Sequence, residues 1–311
     1  MNSFFKHLLA FAIVASCLFT GCTDYGESIK PAPVQVTKPV VRDSLSLVIQ
    51  RNTDFVKTIT ADTNYSDHAG IRFSRIAFIN KQDKPITLYI VEVDLQTPGL
   101  SIEVATPDNL PTASSKQKLS EMIKARNSAS AGQIVLAGIN GDFFDTSTGT
   151  PLGPVYQRGN PIRTFMSSGY HFFGMLKNQN YTIGNYSAYQ NQQARLVEVI
   201  GGRHRLLRDG EPVTHADLNV HPRTSLGLVD KKKAVILVVD GRQPEHSVGF
   251  TLNELGSTLK ALGVKDAVNM DGGGSSTLIT KDAYSRYQIQ NRLADGAERA
   301  VANGLLILRK G

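Results

Sequence analysis

From Ile71 onward the chain is written in short apolar runs, each closed by Gly, Pro, Asp or Asn. "RIAFIN", "ITLYIVEVDL", "LSIEVAT", "QIVLAGIN", "YHFFGML", "ARLVEVIGG", "TSLGLVD", "KAVILVVDG", "DAVNM", "STLIT" and "ANGLLILR" are rich in Ile, Val and aromatic residues. Runs of that length and make-up, bounded by turn formers, are strands. Only two later stretches have a helical period. "KQKLSEMIKARN" (116–127) puts Leu119, Met122 and Ile123 on one face. "TLNELGSTLKALG" lines up Leu252, Leu255, Leu259 and Leu262. Thr251 and Glu254 form a capping box at its start, and Gly263 suits its stop. Many strands with few helices, in no regular alternation, exclude a doubly wound sheet. The expected fold is α+β: a mixed, largely antiparallel β-sheet core with a few helices, in a single main domain over residues 71–311.

The first residues read differently. Lys6 and His7 precede "LLAFAIVASCLF", which ends in "TGC". That apolar stretch is too short to span a membrane, which takes ~20 residues, and has the charged start and apolar middle of a secretory signal. "LFTGC" resembles a bacterial lipobox. Residues 1–21 are therefore expected to be a lipoprotein signal peptide, with cleavage before Cys22, acylation of its thiol, and attachment to a lipid bilayer at the cell envelope. Cys17 and Cys22 are the chain's only cysteines, so the processed protein has no disulfide and relies on its core. "TDYGESIKPAPVQVTKPV" then reads as a tether over 22–40, rich in proline. Residues 41–70 read as an N-terminal extension of the main domain, in which "DSLSLVIQ" alternates like a strand. The formal charge is +7. Its basic residues are scattered, and the longest run, "KKK" at 231–233, suits a solvated turn. No basic stripe or nucleic-acid module accompanies it, so nucleic acid is not expected as a partner.

Within this frame "NMDGGGSSTL" (269–278) stands out. Glycine loses the most backbone freedom on folding, so three in a row imply a need for bare backbone. Loops of this kind form anion-binding nests. The stretch is no Walker loop, lacking its Lys-Ser/Thr ending, and no nucleophile elbow. "AGINGDFFD" ends a strand in Asn140-Gly141-Asp142, and "VVDGRQ" ends another in Asp240-Gly241-Arg242. With Asp271, three strands ending in Asp beside Gly suggest three carboxylates at one edge of a sheet. The plainer reading of any one Asp-Gly is a turn. "HPRTSLG" adds Arg223, a planar fork for phosphate or carboxylate, and "ADGAERAVANG" adds Glu298 and Arg299.

Taken in order, "INGDFFD", "LLRDGEP", "HPRTSLG", "VDGRQ…SVGFTLNEL", "NMDGGGSST" and "ERAVANGLLI" resemble the phosphodiester glycosidase family, which includes bacterial exopolysaccharide-related proteins. The resemblance spans roughly residues 71–311. It implies hydrolysis of a sugar-1-phosphodiester at the anomeric carbon, with α-linked N-acetylglucosamine-1-phosphate as one candidate, so the expected partner is a phosphorylated carbohydrate and no cofactor is required. Phosphate, with a second pKa of about 6, leaves with little protonation, so support for its charge becomes the larger need. Arg223 and the Gly272, Gly273 and Gly274 backbone are expected to hold the phosphate. Asp142 and Asp271 would flank the sugar as the catalytic carboxylates, with Asp240 in reserve. Asn140 and Ser275 would fix sugar hydroxyls, and Gly141, Thr224, Glu298 and Arg299 complete the substrate-binding candidates. Two alternatives stay open. One is a phosphodiesterase attacking phosphorus with a divalent cation on Asp142, Asp240 and Asp271. The other is a non-catalytic glycan-binding lipoprotein using Phe143, Phe144 and Tyr170.

Overall fold

The computed structural model describes residues 44–66, 68–129 and 132–311. The expected signal segment, Cys22, the tether and residues 41–43 lie outside the described residues. Helix α1 (Leu45–Asn52) is the stretch expected as a strand. Leu45, Val48 and Ile49 fit a helical period as well as an alternating one, and a short apolar run cannot be told apart by pattern alone. Packing decides the matter, for Ile49 is buried with Phe55, Phe250, Leu252 and Leu255.

Three long strands follow, β1 (Val56–Tyr65), β2 (Ile71–Asn80) and β3 (Pro85–Asp94), then β4 (Leu100–Ala105). Helix α2 (Leu119–Ser128) leads into β5 (Gln133–Asn140). It starts later than its period suggested because Gln117 is held extended against Val301. A small sheet is built from β6 (Val155–Gln157), β7 (Asn160–Arg163), β8 (His171–Leu176), β9 (Tyr181–Asn185) and, after α3 (Tyr186–Gln192), β10 (Leu196–Gly202). The chain continues through β11 (His204–Arg208), β12 (Glu211–Pro212), β13 (Arg223–Asp230) and β14 (Lys233–Val239). Helix α4 (Leu252–Ala261), β15 (Asp266–Asn269), β16 (Leu278–Lys281), β17 (Tyr287–Ile289) and β18 (Gly304–Lys310) complete it.

Strand order is β1-β2-β3-β14-β13-β15-β11-β12 in the large sheet, β17-β16-β5-β18-β4 in a second and β7-β6-β10-β8-β9 in the third. The pairings, such as β13 with β14 and β5 with β18, are antiparallel. Residues 56–65 thus form an edge of the main sheet.

Period-2 alternation sorts the side chains into layers. In β14, Ala234, Ile236 and Val238 face a central core shared with Val104, Ile139 and Leu305 of the second sheet and Phe173 and Ile200 of the third. Val235, Leu237 and Val239 face the other way, onto α1 and α4. In β18, Leu306 and Leu308 meet Leu119, Met122 and Ile123 of α2. Each such burial contributes ~2 kcal/mol, and this sheet-on-sheet core covered by helices is what the α+β reading required. The capping box of α4 is present, with Glu254 N–H donating to Thr251 Oγ1 at 3.1 Å and Thr251 N–H to Glu254 Oε2 at 2.8 Å. The third sheet is tied to the second by Glu198, whose carboxyl accepts from Val104 N–H at 2.7 Å and Arg158 N–H at 2.6 Å. No described helix is long and apolar enough to cross a membrane.

Candidate active site

The C-terminal end of β5, the start of β13, the turn after β15 and the start of β18 meet where the large sheet and the second sheet abut. Asn140 is the clasp. Its Oδ1 accepts from Thr224 Oγ1 at 2.8 Å and from Thr277 N–H at 3.1 Å, and its Nδ2 donates to the Asp271 carbonyl at 2.7 Å. The Asp271 N–H in turn donates to the Gly141 carbonyl at 2.9 Å. Both Asn140 and Thr224 are buried, so they join segments from inside the fold. Gly141 has to be glycine because a Cβ would collide with Asn303 Oδ1 and Ile200 Cδ1.

This clasp brings Asp142 and Asp271 together in unlike settings. Asp142 is 0% exposed. Its Oδ2 accepts from Gly153 N–H at 2.6 Å, and its Oδ1 has no hydrogen-bond partner among the described residues. Burial pushes its carboxyl up to about 7, against the hydrogen bonds from Gly153 and Phe143, and the nearby Asp271 pushes the same way. Asp271 is partly exposed. Burial raises it too, opposed by hydrogen bonds from Ser275 and Gly272 and by the Arg299 charge. Two neighbouring carboxyls in such unlike settings can divide the roles of acid and anion between them.

The three glycines serve a purpose the sequence did not disclose. The Gly272 N–H donates to Asp271 Oδ1 at 2.9 Å, and the Gly273 N–H donates to the Pro222 carbonyl at 2.9 Å. Two of the three amides are therefore engaged within the protein. What the run supplies is clearance. A Cβ at Gly272 would lie 2.7 Å from the Pro222 carbonyl oxygen, one at Gly273 would lie 3.1 Å from the Arg242 guanidinium, and one at Gly274 would collide with the Arg299–Asp295 pair. Gly273 also has φ +61°, open to glycine at no steric cost.

The remaining sequence candidates have other surroundings. Arg223 is buried, with Nε donating to the Phe250 carbonyl and Nη2 to the Asn219 carbonyl, both at 3.0 Å. It braces the 219–222 loop. Glu298 accepts from Ser120 N–H at 2.8 Å and Ser120 Oγ at 2.7 Å, stabilising the start of α2. Arg299 pairs with Asp295 at 2.5 Å and donates to Ser275 Oγ at 3.4 Å, so Ser275 links it to Asp271. Asp240 does not share a sheet edge with Asp142, because β14 and β15 belong to the large sheet and β5 to the second. Its carboxylate is enclosed by His246 Nε2 at 2.7 Å, Tyr89 Oη at 3.3 Å and the Arg292 N–H at 3.1 Å. It ties down the segment that carries Asp295 and Arg299. Among the described residues no group of three His, Cys, Asp or Glu is arranged to hold a metal ion.

Sequence reasoning passes over the arginines that line the carboxylates. Arg163 acts on Asp142 electrostatically and stacks over Phe165 at 5.2 Å. Arg203 lies 6.0 Å over the Phe143 ring, and Tyr170 feels both Arg203 and Asp142. Arg242 lies over Gly273 with its own backbone at φ +61°, a region that costs a non-glycine residue about 1 kcal/mol. Arg163, Arg203 and Arg242 make no ion pair with a carboxylate among the described residues. The available signal was Gly-Gly-Arg closing β10 and Asp-Gly-Arg closing β14, where the eye settles on the Asp.

Residues 133–308 match the family model for phosphodiester glycosidase. Among curated relatives, an uncharacterized SPbeta prophage-derived protein of Bacillus subtilis, YomE, is 38% identical over 33% of this chain and 16% of its own length. Bovine N-acetylglucosamine-1-phosphodiester α-N-acetylglucosaminidase is 26% identical over 48% of this chain and 32% of its own length. The chain thus spans a third or less of the curated relatives it matches. The zebrafish enzyme of the same name, solved as a catalytic domain auto-inhibited by its pro-peptide, superposes with TM-score 0.60 at 22% identity, covering 80% of this chain and 88% of that one. A hypothetical protein from Synechocystis superposes with TM-score 0.58 at 13% identity, covering 81% and 64%. At these identities the likeness is one of fold.

Proposed function

The chain belongs to the phosphodiester glycosidase family, and from that premise we propose that it hydrolyses the anomeric C–O bond of a sugar-1-phosphodiester, releasing sugar and a phosphomonoester. The observation that carries this reading is the carboxyl pair. Asp271 is within reach of solvent, and Asp142 is sealed behind it. Arg163 acts on Asp142 and Arg203 lies over the adjacent Phe143, neither of them in an ion pair among the described residues.

In this reading Asp271 is the anion that faces the anomeric carbon, as nucleophile or as the base that takes a proton from water. The C–O bond breaks toward phosphate, which keeps the electron pair, and the water oxygen ends on the sugar. Arg163 and Arg203 face the departing phosphate, where fixed cations in a water-poor site stabilise developing charge most effectively. Asp142 contributes by being neutral. Held at about 7, it adds no negative charge beside the phosphate or Asp271 below that pH. The Asp295–Arg299–Ser275 chain steadies Asp271. The names of the bovine and zebrafish relatives support α-linked N-acetylglucosamine as the first sugar to try.

A panel of sugar-1-phosphodiesters hydrolysed in ¹⁸O-water tests the reaction. Label in the released sugar is the expected result. Label in the phosphate means attack at phosphorus, and binding without turnover means a glycan-binding protein. Run across pH, kcat/KM is expected to fall as pH rises through about 7, where Asp142 ionises, and Asp142→Asn is expected to remove that limb. A high-pH limb untouched by the substitution excludes this role for Asp142.

We also propose that the protein is lipid-anchored at the cell envelope through Cys22, on the strength of "LFTGC" and the apolar stretch before it. Radiolabelled fatty acid should be incorporated into the wild-type chain and absent from Cys22→Ser. Equal labelling of the two removes the anchor.

A further inference from the structure

No step of the proposed hydrolysis uses Arg242, and the fold nevertheless holds it in place. Its backbone stays in the left-handed region at φ +61°, fixed by its N–H to the Val248 carbonyl at 3.3 Å and by the Gln243–Ser247 bridge. Its guanidinium lies flat over Gly273, where a Cβ would come within 3.1–3.2 Å of Nη2 and Nη1. Nη2 is 3.5 Å from His221 Nδ1. Burial, Arg223 and Arg242 all lower the His221 pKa, which disfavours a further cation at that ring. Gln243 Nε2 donates to the Arg292 carbonyl at 3.2 Å, which ties the backbone of that residue to the turn that carries Arg242. Arg242 and Arg292 are both exposed, and neither has an ion-pair partner among the described residues.

Charge balance makes this placement informative. A phosphodiester carries one negative charge, and Arg163 and Arg203 on the Asp142 side already match and exceed it. Arg299, on the Asp271 side, is neutralised by Asp295 at 2.5 Å. Arg242 remains on that same side, over the glycine turn and without an ion-pair partner among the described residues.

We propose that Arg242, with His221 beside it, forms a second anion subsite on the Asp271 side of the cleft, so that the substrate is a glycan with a further oxyanion on the sugar side of the scissile phosphate. The subsite rests on the reading that Arg163 and Arg203 face the departing phosphate. The shared chemistry is an anion that presents two oxygens side by side to the guanidinium fork. A phosphodiester to the preceding repeat and a uronate carboxylate both supply it.

The test is equilibrium binding of non-cleavable phosphonate analogues to the wild-type chain, Arg242→Gln and Arg242→Lys. One analogue has the scissile-position phosphonate alone, a second adds a phosphonate on the sugar side, and a third adds a carboxylate there. Wild type is expected to bind at least one dianionic analogue about ten-fold tighter than the monoanionic one, the gain shrinking as salt rises. Arg242→Gln is expected to bring the ratio to parity and Arg242→Lys to keep part of it, and the analogue with the larger gain identifies the oxyanion. Equal wild-type binding of mono- and dianionic analogues overturns the subsite, and so does a ratio that survives Arg242→Gln. Cleavable counterparts assayed in parallel report on the glycosidase reading separately. Preferred binding with no turnover overturns that reading and leaves the subsite standing.

Discussion

Asp271→Asn is expected to lower kcat by about 10³-fold or more while leaving the melting temperature at or slightly above the wild-type value. The loss follows from removing the one carboxyl of the pair that is within reach of a ligand, and deleting a nucleophile or base typically costs roughly 10³–10⁶-fold. The stability half follows from its surroundings. An Asn carbonyl can still accept from Gly272 N–H, which donates to Asp271 Oδ1 at 2.9 Å, and the clasp to Asn140 and Gly141 uses only Asp271 backbone. Burial raises the Asp271 pKa. Its ionised form therefore disfavours folding above the ordinary carboxylate pKa, and a neutral amide removes that cost at pH 7. Circular-dichroism melting beside steady-state kinetics separates the two effects. A kcat within ten-fold of wild type removes Asp271 from the chemistry, and a melting point lower by many degrees makes it a structural residue.

Much of the fold is legible in the sequence because local signals agree with the packing. Residues 251–263 carry a cap, a period and a stop, and the helix is there with its box closed. The strands read correctly wherever β-branched runs end in turn formers. Residues 45–52 mislead because one turn of apolar side chains satisfies both periods, and contacts with Phe250 and Leu255, some 200 residues away along the chain, settle the question.

The candidate site is legible by neighbourhood and obscure by direction. Pattern locates Asn140–Asp142 and Asp271–Ser275, but not that they sit on different sheets joined through one asparagine. A residue type does not say which way its side chain points. Arg223 looks like the phosphate ligand and faces two backbone carbonyls, whereas Arg203 and Arg242, each beside a glycine at a strand end, face outward. Glycine is ambiguous in the same way, since a run of it permits either amide donation or close approach. Here Gly272 and Gly273 donate internally, and clearance for Pro222, Arg242 and Arg299 is the commoner theme.

That theme yields the second large effect, at a glycine well away from the run. Gly201→Ala is expected to destabilise the protein by about 2–3 kcal/mol, as overpacking of a closed site does, and to lower the melting temperature by roughly 5–10 °C for a chain of this size. Gly201 sits in β10 opposite Phe172. A Cβ there would strike the Asp142 carboxylate and come within 2.7 Å of Gly153 Cα. Neither obstacle is the free end of a flexible side chain. Asp142 is sealed and held by Gly153 at 2.6 Å, and Gly153 is backbone, so one of the two segments must move. Either movement stretches the Gly153–Asp142 hydrogen bond, and the activity of whatever folds should lose its dependence on the Asp142 proton along with its stability. Gly169→Ala is the control. A Cβ added at that glycine would meet no atom within 4 Å, and its φ is not positive, so the variant should stay within about 0.5 kcal/mol of wild type. Pairing Gly201→Ala with Asp142→Ala removes half of the obstruction, and the double variant should be more stable than the two single losses predict, the non-additivity expected of atoms in contact. Strict additivity would show that Gly201 and Asp142 do not press on one another, and the sealed acid behind Asp271 would lose its structural basis.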